Sequence, residues 1–254
     1  MNKISIITAT YNAESCLQEL INSLFTQGNA DFEFIIVDGG STDSTIDIIR
    51  NNNSAIDNWI SEPDKGIYDA WNKGVALATG NWIMFLGADD MLMPGALEKY
   101  YSFLASQPDD LLFLSSRRQM LDVKGNLIRT TGYTWSWPLF QKFMTVSHPG
   151  ALHSDKLFDQ YGMYDVSYKI SGDYELLLRP RNQLKAAFMD EVTVKMSEGG
   201  ASDSIAAVGE YYRATTTAGG YSKIKAGTSA TITILKFIIK KGLRKIGLNV
   251  YLQK

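Results

Sequence analysis

Short apolar runs alternate with helix-periodic segments along the first half of the chain. The apolar runs occupy residues 4–8, 32–37, 82–87 and 111–114 and have the Ile, Val, Leu and Phe content of buried strands. Between them, apolar residues recur at the spacing of one helix face: Leu17, Leu20, Ile21 and Leu24, then Ile67, Ala70, Trp71 and Val75. This alternation predicts an α/β fold in which helices flank a mostly parallel central sheet.

Polar side chains follow each of the first predicted strands. They are Thr10, Tyr11 and Asn12 after the first strand, Asp38 after the second, Asp64 after a short third strand near 58–60, and Asp89 with Asp90 after the fourth. In open parallel sheets, ligands bind beyond the carboxyl ends of the strands. Loops are polar in most proteins, so no single position decides the question. Four successive strand ends nevertheless predict one polar rim that binds a ligand.

The segment WIMFLGADDML at 82–92 ends a hydrophobic strand in two adjacent carboxylates, Asp89 and Asp90. Two adjacent carboxylates repel each other, and a cation beside them offsets this repulsion. Carboxylate oxygens suit Mg²⁺ or Mn²⁺, and Mg²⁺ in particular takes few protein ligands and keeps water and phosphate oxygens around it. Many turns also contain two aspartates. The pair therefore indicates a divalent-cation site for a phosphorylated ligand only together with the rest of the rim.

The segment IIVDGGSTDST at 35–45 places two glycines after a strand and could present backbone amides to an anion. It matches neither the phosphate-binding loop G-x-x-x-x-G-K-[ST] nor the dinucleotide fingerprint G-x-G-x-x-G, and its Asp38 precedes the glycines. A carboxylate at this point suits hydrogen bonding to a base N–H or a ribose hydroxyl better than contact with phosphate.

A candidate general base lies in the second half of the chain. The segment SGDYELLLR at 171–179 predicts a helix that Ser171 caps, with Asp173 and Glu175 in the first turn, where the helix dipole favours carboxylates. From the residues alone, Asp173 is either such a helix-start carboxylate or a base that takes a proton from a substrate.

Composition narrows the class of protein. The 254 residues are 45% apolar and 20% charged, which fits one globular domain. The single cysteine, Cys16, excludes an internal disulfide framework and fits a reducing compartment. The N-terminus does not read as a signal peptide, and no window holds the roughly 18 apolar residues of a membrane span. We therefore expect a cytoplasmic protein.

Charge divides the chain in two. Up to Glu210 there are 27 acidic and 16 basic residues, a net charge of −11, whereas residues 211–254 contain nine basic residues and no acid. This asymmetry predicts a main domain over 1–210 and a basic helical extension over 211–254 with a different partner.

The extension contains a predicted basic amphipathic helix. Its apolar stripe consists of Ile232, Leu235, Ile239, Leu243 and Ile246, and a second stripe carries Lys236, Lys240 and Arg244. Such a helix suits an anionic membrane surface, here through residues 230–247. The alternative is a helix that packs on the main domain with its basic face in water. No nucleic-acid motif accompanies the charge, so we expect no nucleic-acid partner.

Five motifs occur together and in order: TATYN at 8–12, VDGGSTD at 37–43, SEPDKGIYDAWNKG at 61–74, FLGADD at 85–90 and SGDYELLLR at 171–179. Together they resemble family two of the inverting nucleotide-sugar glycosyltransferases. Within that family the chain is similar to bacterial enzymes that build envelope polysaccharides such as O-antigen, capsule and colanic acid. The resemblance covers residues 3–205 and implies a single Rossmann-like domain of glycosyltransferase fold A.

The resemblance also implies roles for individual residues. At the nucleotide, Thr10 and Tyr11 would flank the nucleoside, Asp38 would bind the base and Asp64 would lie beside the nucleotide. Asp89 and Asp90 would hold Mn²⁺ or Mg²⁺ against the diphosphate and contact the ribose. Asp173 would be the catalytic base. Many relatives carry Asp or Asn where this chain has Gly87. Which of the two aspartates binds the metal directly therefore stays open.

The acceptor side is defined less sharply. The resemblance places His148 there, although a lone histidine is more often structural. His148 and His153 are the only histidines, too few to indicate a zinc site. Trp135 and Trp137 could stack on sugar rings, and a core or lid role fits them equally.

The function implied is metal-dependent, inverting transfer of one hexose-type sugar from a nucleotide-diphosphate sugar to a saccharide hydroxyl in cell-envelope polysaccharide synthesis. We expect the acceptor to be lipid-linked and the enzyme to lie peripherally on the inner face of the cytoplasmic membrane. Two alternatives are a catalytically inactive nucleotide-binding subunit and a sugar nucleotidyltransferase. The latter should carry a Gly-rich, Arg- or Lys-bearing loop after its first strand, and TATYNAE is not one.

Overall fold

The structure is a computed structural model that describes residues 3–122, 124–198 and 204–245, with side chains up to Ile239. Within these residues one sheet contains the strands β1 (Ile4–Thr10), β2 (Phe32–Asp38), β3 (Asn58–Ser61), β4 (Trp82–Gly87), β5 (Met91–Leu92), β6 (Phe113–Leu121), β7 (Leu127–Thr131), β8 (Leu152–Ser154) and β9 (Ala186–Ser197).

The helices of the described residues are α1 (Leu17–Leu24), α2 (Thr45–Asn51), α3 (Ile67–Leu77), α4 (Ala96–Leu104), α5 (Trp137–Phe140), α6 (Asp155–Tyr161), α7 (Gly172–Leu178), α8 (Ile205–Thr217) and α9 (Lys223–Lys245). Short 3-10 turns follow α1, α2 and α7.

The sheet has a parallel half and a mixed half. Its strand order is β3-β2-β1-β4-β8-β6-β9-β5, with β7 paired to β6. Strands β3, β2, β1 and β4 run parallel, while β8 pairs antiparallel with both β4 and β6, and β6 and β9 pair in parallel. The predicted α/β fold, with helices flanking a mostly parallel sheet, is confirmed.

Helices cover both faces of the parallel strands, which explains why these strands are apolar throughout. Ile6 points into a core shared with α1 and α4, whereas its neighbour Ile7 points into a second core shared with α3 and α7. Both side chains are fully buried. Strands buried on both faces have unbroken apolar sequences rather than alternating ones.

Two local expectations are corrected. The strand predicted at 111–114 exists with different bounds: β6 begins at Phe113 and continues to Leu121, because pairing with β7, β8 and β9 extends it into polar sequence. Ser171 occupies the N-cap position of α7, but its side chain makes no capping hydrogen bond. Position 210 lies within α8, and the division of the chain into 1–210 and 211–254 stays a prediction.

The basic extension contributes α9. Ala226 is buried, and Tyr211 of α8 lies 3.2 Å from Ser229 through their hydroxyls. Further along α9, Ile232, Leu235 and Ile239 are 50–55% exposed. Of the other residues in the predicted stripe, Ile246 and the side chain of Leu243 lie outside the described part of the structure. Among the helices described, none is long and apolar enough to cross a membrane.

Candidate active site

The carboxyl ends of β1 to β4 meet at one edge of the sheet, as the sequence predicts. Asp38 pairs with Thr10 on one side and with Ser61 on the other, while Ala9 pairs with Gly87. The residues that follow these strands therefore share one strand-end rim, and the loops of this rim form the first part of the candidate site.

Asp38 is the most heavily hydrogen-bonded residue of the rim. Its fully buried carboxylate accepts five hydrogen bonds: from the hydroxyls of Thr10, Ser41 and Ser61 and from the backbone N–H groups of Gly40 and Ser41. Burial alone would raise the pKa of Asp38, but these donors outweigh burial and lower it. Asp38 is thus an ionised carboxylate that holds the turn at residues 39–41.

Tyr11 and Asp64 converge over Gly39. Tyr11 is 66% exposed. A Cβ atom on Gly39 would lie 2.6 Å from Asp64 Oδ2 and 3.5 Å from Tyr11 Cδ2, so only glycine leaves room for this approach. Asp64 Oδ1 accepts the Gly66 N–H at 2.7 Å, while Oδ2 faces the space over Gly39. An exposed ring can stack on a base, and the carboxylate beside the ring can accept an N–H group of that base.

Asn12 follows β1 and belongs to the same rim. Its φ of 50° is in the left-handed region, which asparagine tolerates better than most residues. Its N–H donates to Ser41 Oγ at 2.8 Å, and its Oδ1 accepts the Thr42 N–H at 2.9 Å. Asn12 therefore ties the end of β1 to the loop after β2.

The two aspartates after β4 have different environments. Asp89 is exposed, whereas Asp90 is buried and accepts the Gly87 N–H at 2.7 Å. Burial, followed by repulsion from Asp89, raises the pKa of Asp90 to about 7. A Cβ on Gly87 would lie 3.0 Å from Asp89 Oδ1 and 3.1 Å from Asp90 Oδ2. The glycine thus allows both carboxylates to meet above the end of the strand.

This pair fits a divalent cation that takes few ligands from the protein. Among the described residues no group of three or more His, Cys, Asp or Glu side chains could hold a metal ion. A closed protein cage is therefore not formed by these residues. Two carboxylates that meet beside an open rim suit Mg²⁺ or Mn²⁺, with the remaining ligands coming from water and phosphate.

Asp173 is held near the start of α7 by a tyrosine from α3. Tyr68 Oη donates to Asp173 Oδ1 at 3.1 Å, and a Cβ on Gly172 would lie 2.9 Å from the Tyr68 ring. The glycine therefore lets the ring pack close enough to reach the carboxylate. Burial raises the pKa of Asp173, and the Tyr68 hydrogen bond partly opposes this rise. A carboxylate with a raised pKa is a stronger proton acceptor once ionised.

Arg118 links the acidic pair to Asp173 electrostatically. It lies on β6, where Nε donates to Thr131 Oγ1 at 3.3 Å. Burial lowers the pKa of Arg118, while Asp90 and Asp173 both act to raise it. The sequence analysis did not select this residue, since it lies beyond the apolar run predicted as a strand. A cation that interacts with both carboxylates reduces their mutual repulsion.

The three weaker candidates lie in packed surroundings. His148 is buried, stacks on Trp71 with ring centroids 4.8 Å apart, and has its pKa lowered to about 3 by burial and by Arg118. It is therefore neutral at physiological pH. Trp135 packs against Phe140 at 4.5 Å, and Trp137 is half-buried against the same core. These contacts favour a packing role for His148, and acceptor contact by the tryptophans stays a prediction.

Comparisons with known proteins agree with this geometry. Residues 5–154 match Glycosyl transferase family 2. The chain is 32% identical over 216 residues to a PGL/p-HBAD biosynthesis glycosyltransferase of Mycobacterium bovis (strain BCG / Pasteur 1173P2), a match covering 79% of each protein. It is 33% identical over 132 residues to an uncharacterized glycosyltransferase of Haemophilus influenzae, covering 51% of this chain and 52% of the other.

Solved structures show the same fold. S. aureus TarS 1-349 superposes with a TM-score of 0.66 at 18% identity, covering 90% of this chain and 69% of that one. The mannosyltransferase PcManGT from Pyrobaculum calidifontis, in complex with GDP-Man and Mn²⁺, gives a TM-score of 0.65 at 13% identity, covering 89% and 69%. At these identities the likeness shows the fold alone, which is glycosyltransferase fold A. The family match and the mycobacterial relative show that this chain belongs to glycosyl transferase family 2 and is a glycosyltransferase.

Proposed function

We propose that the protein is a metal-dependent, inverting glycosyltransferase that moves one sugar from a nucleotide-diphosphate sugar to a saccharide hydroxyl. The observation that carries the proposal is the meeting of Asp89 and Asp90 over Gly87, on the same rim as Tyr11 and Asp64. One edge of the sheet thereby offers a nucleoside contact beside a cation site. The relatives are named as glycosyltransferases, which favours this function over that of a sugar nucleotidyltransferase.

The nucleoside end of the donor would rest on the loops of the rim. Tyr11 would stack on the base, and Asp64 Oδ2 would accept an N–H of the base or a ribose hydroxyl. Thr10 and Asp38 would contribute by holding the turn at 39–41, since the hydrogen bonds of Asp38 are already made within the protein. This turn presents Gly39 to the ligand without a side chain.

The diphosphate would lie over the acidic pair. Asp89 is the better direct ligand for Mn²⁺ or Mg²⁺ because it is exposed, while Asp90 is buried and hydrogen-bonded to the backbone. When bound, the cation supplies positive charge beside the leaving nucleoside diphosphate. Arg118 would add a second positive charge that acts on both Asp90 and Asp173.

Asp173 would act as the general base. Its carboxylate takes the proton of the acceptor hydroxyl as that oxygen bonds to the anomeric carbon, and the bond from this carbon to the diphosphate oxygen breaks on the opposite face. This single displacement inverts the anomeric configuration and needs no covalent intermediate. Tyr68 keeps the carboxylate oriented by donating to Oδ1.

The first test is a thermal-shift panel of UDP, GDP, dTDP and CDP, each with and without Mn²⁺. A nucleotide present at about 100 times its dissociation constant should add roughly 2.7 kcal/mol, which is a rise of about 5–10 °C for a chain of this size. A Mn²⁺-dependent rise with one nucleotide supports the donor site. The absence of a rise with all four would contradict it.

The second test uses UDP-glucose, UDP-N-acetylglucosamine, GDP-mannose and dTDP-rhamnose with water as the acceptor. We expect slow release of nucleoside diphosphate from one of them, with inversion of the released sugar seen by proton NMR. Asp173→Asn should abolish release while leaving the Mn²⁺-dependent thermal shift intact. Unchanged release in this variant would exclude Asp173 as the base, and absence of release from every donor would favour an inactive nucleotide-binding subunit.

We also propose that the physiological acceptor is a lipid-linked saccharide of the cell envelope. The mycobacterial relative is named for PGL/p-HBAD biosynthesis, and the exposed apolar side chains of α9 together with the basic extension suit an anionic membrane surface. Residues 1–210 would carry out catalysis, and 211–254 would hold the enzyme on the inner face of the cytoplasmic membrane.

A further inference from the structure

We infer that Glu210 of α8 is a positioning residue for the general base. This inference rests on the proposed role of Asp173. Glu210 accepts hydrogen bonds from three consecutive backbone N–H groups, those of Lys169, Ile170 and Ser171, at 2.7, 2.8 and 2.8 Å. These three residues form the segment that leads directly into α7, in which Asp173 is the second residue.

Three aligned N–H groups need an acceptor, because the first turn of a helix and the segment before it have no intrahelical partners. An N-cap side chain would accept from N–H groups inside the first turn, and the Ser171 side chain makes no such capping hydrogen bond. No local side chain therefore fixes the start of α7, and the backbone leading into it is held by a carboxylate 39 to 41 residues further along the chain. Hydrogen bonds to a charged acceptor are stronger than neutral ones.

The orientation of Asp173 depends on this segment and on one side-chain contact. Tyr68 fixes the carboxylate from α3, and Glu210 fixes the backbone from α8. Loss of the Glu210 carboxylate would leave Tyr68 in place but would free the backbone that sets the position of the base. Displacement of a reacting group by about 1 Å can cost on the order of 100-fold in rate.

Loss of the Glu210 carboxylate should leave the donor site unchanged. The nucleoside and diphosphate contacts proposed above come from the loops after β1 to β4, and none of their hydrogen bonds described here involves Glu210. Removal of Glu210 should therefore lower kcat and leave the KM for the donor nearly unchanged. A loss of stability alone would lower the apparent kcat only in proportion to the folded fraction, which thermal unfolding of the same variant measures.

The experiment compares Glu210→Ala and Glu210→Gln with Gly209→Ala, a neighbouring change on α8 whose new Cβ meets nothing within 4 Å. The readout is nucleoside diphosphate release from whichever of the four donor sugars above is active. Glu210→Ala should lower kcat about 10- to 100-fold, with a donor KM within about twofold of the parent value. Gly209→Ala should leave both constants unchanged.

Glu210→Gln should have an effect of intermediate size. Oε2 accepts from both Ile170 and Ser171, and a glutamine oxygen in that place retains these two bonds and loses only the one from Lys169. Its kcat should lie between those of the parent and Glu210→Ala. If Glu210→Ala does not fold, this variant carries the test, and a full parental kcat in it would overturn the inference.

Asp173→Asn, assayed in parallel, distinguishes the two possible failures. If Asp173→Asn retains release, the assignment of the base is wrong and Glu210 loses its proposed purpose. If Asp173→Asn is inactive while Glu210→Ala keeps the parental kcat, the base is correct and the inference about Glu210 is wrong.

Discussion

The Tyr68 hydroxyl controls how readily Asp173 ionises. Its hydrogen bond lowers the pKa of Asp173, which burial raises. Tyr68→Phe removes this bond, so the pKa should rise further and the base should ionise only at higher pH. We expect the rising limb of the pH–kcat profile to move up by about one to two pH units, since a hydrogen bond to a charged group is worth about 1.5–3 kcal/mol.

Tyr101→Phe is the control, because Tyr101 donates to the Asp31 backbone carbonyl on another part of the molecule. An unshifted profile in Tyr68→Phe, matching that of Tyr101→Phe, would show that Tyr68 does not act on the base. The Gly172 approach to the ring is preserved in Tyr68→Phe, so the packing of α7 should change little.

Glu33 makes a separate, structural contribution at the opposite end of the strands. Burial would raise its pKa, but hydrogen bonds from Ser5, Thr79 and Lys3 outweigh burial and lower the pKa from 4.5 to about 2. A depressed pKa stabilises the fold above about pH 4.5, and this stabilisation is lost as the pH falls towards 2. The difference corresponds to about 3 kcal/mol at most.

Glu33→Gln should therefore lower the free energy of unfolding at pH 7 by about 1–3 kcal/mol and flatten its dependence on pH between about 5 and 2. Urea denaturation at several pH values measures both effects. Glu19→Gln, at an exposed position in the first turn of α1, loses only a contact with the helix dipole and should lower the free energy of unfolding by less than about 1 kcal/mol. An equal loss of stability at pH 7 and pH 3 would contradict the linkage.

At the level of single residues, sequence reasoning found those whose partners are close in the chain. Asp89 and Asp90 are adjacent, and Asp38 precedes its own turn. Sequence reasoning missed Arg118 and Glu210, because the residues they interact with lie far away in the sequence. Only the sheet and α8 bring these residues together. Hydrophobic periodicity carries no information on such contacts.

At the level of elements, burial decides which strands can be predicted from the sequence. Strands β1 to β4 were predicted closely because they are buried on both faces or follow clear turn signals. Strands β5 and β8 have only two and three residues, and their existence depends on pairing with β9, β4 and β6. Strands this short have no periodicity of their own from which to predict them.

Gly172 and Gly209 allow an element-scale comparison of α7 with α8. A Cβ on Gly172 would lie 2.9 Å from Tyr68 ring atoms, whereas a Cβ on Gly209 meets nothing within 4 Å. Gly172→Ala must displace either the ring or the start of α7, and should cost about 1–3 kcal/mol and most of the activity. Gly209→Ala should stabilise α8 by about 0.5–1 kcal/mol, since alanine is the better helix former.

Thermal unfolding and nucleoside diphosphate release measure the two variants side by side. Opposite shifts of Tm would show that close packing, rather than helix propensity, explains why position 172 requires glycine. Equal activity in Gly172→Ala and in the parent would show that the contact between Tyr68 and α7 is dispensable for catalysis.

At the scale of the whole molecule, charge and exposed apolar surface coincide at the C-terminal extension. Residues 211–254 carry nine basic residues and no acid, while Ile232, Leu235 and Ile239 remain 50–55% exposed on α9. Substitution of all three by serine should weaken binding to vesicles containing phosphatidylglycerol at least about tenfold, because each buries apolar surface in the membrane. These side chains already contact water, so the Tm should change little.

Thr233→Ala is the matched control, since Thr233 is exposed on α9 but lies outside the apolar stripe. Binding of the parent should fall as salt is raised, because ions screen the attraction between basic residues and anionic lipid. Release of nucleoside diphosphate with water as acceptor should be equal in all three proteins. If the serine variant binds these vesicles as tightly as the parent, α9 does not dock through this face, and its exposed side chains must have another partner.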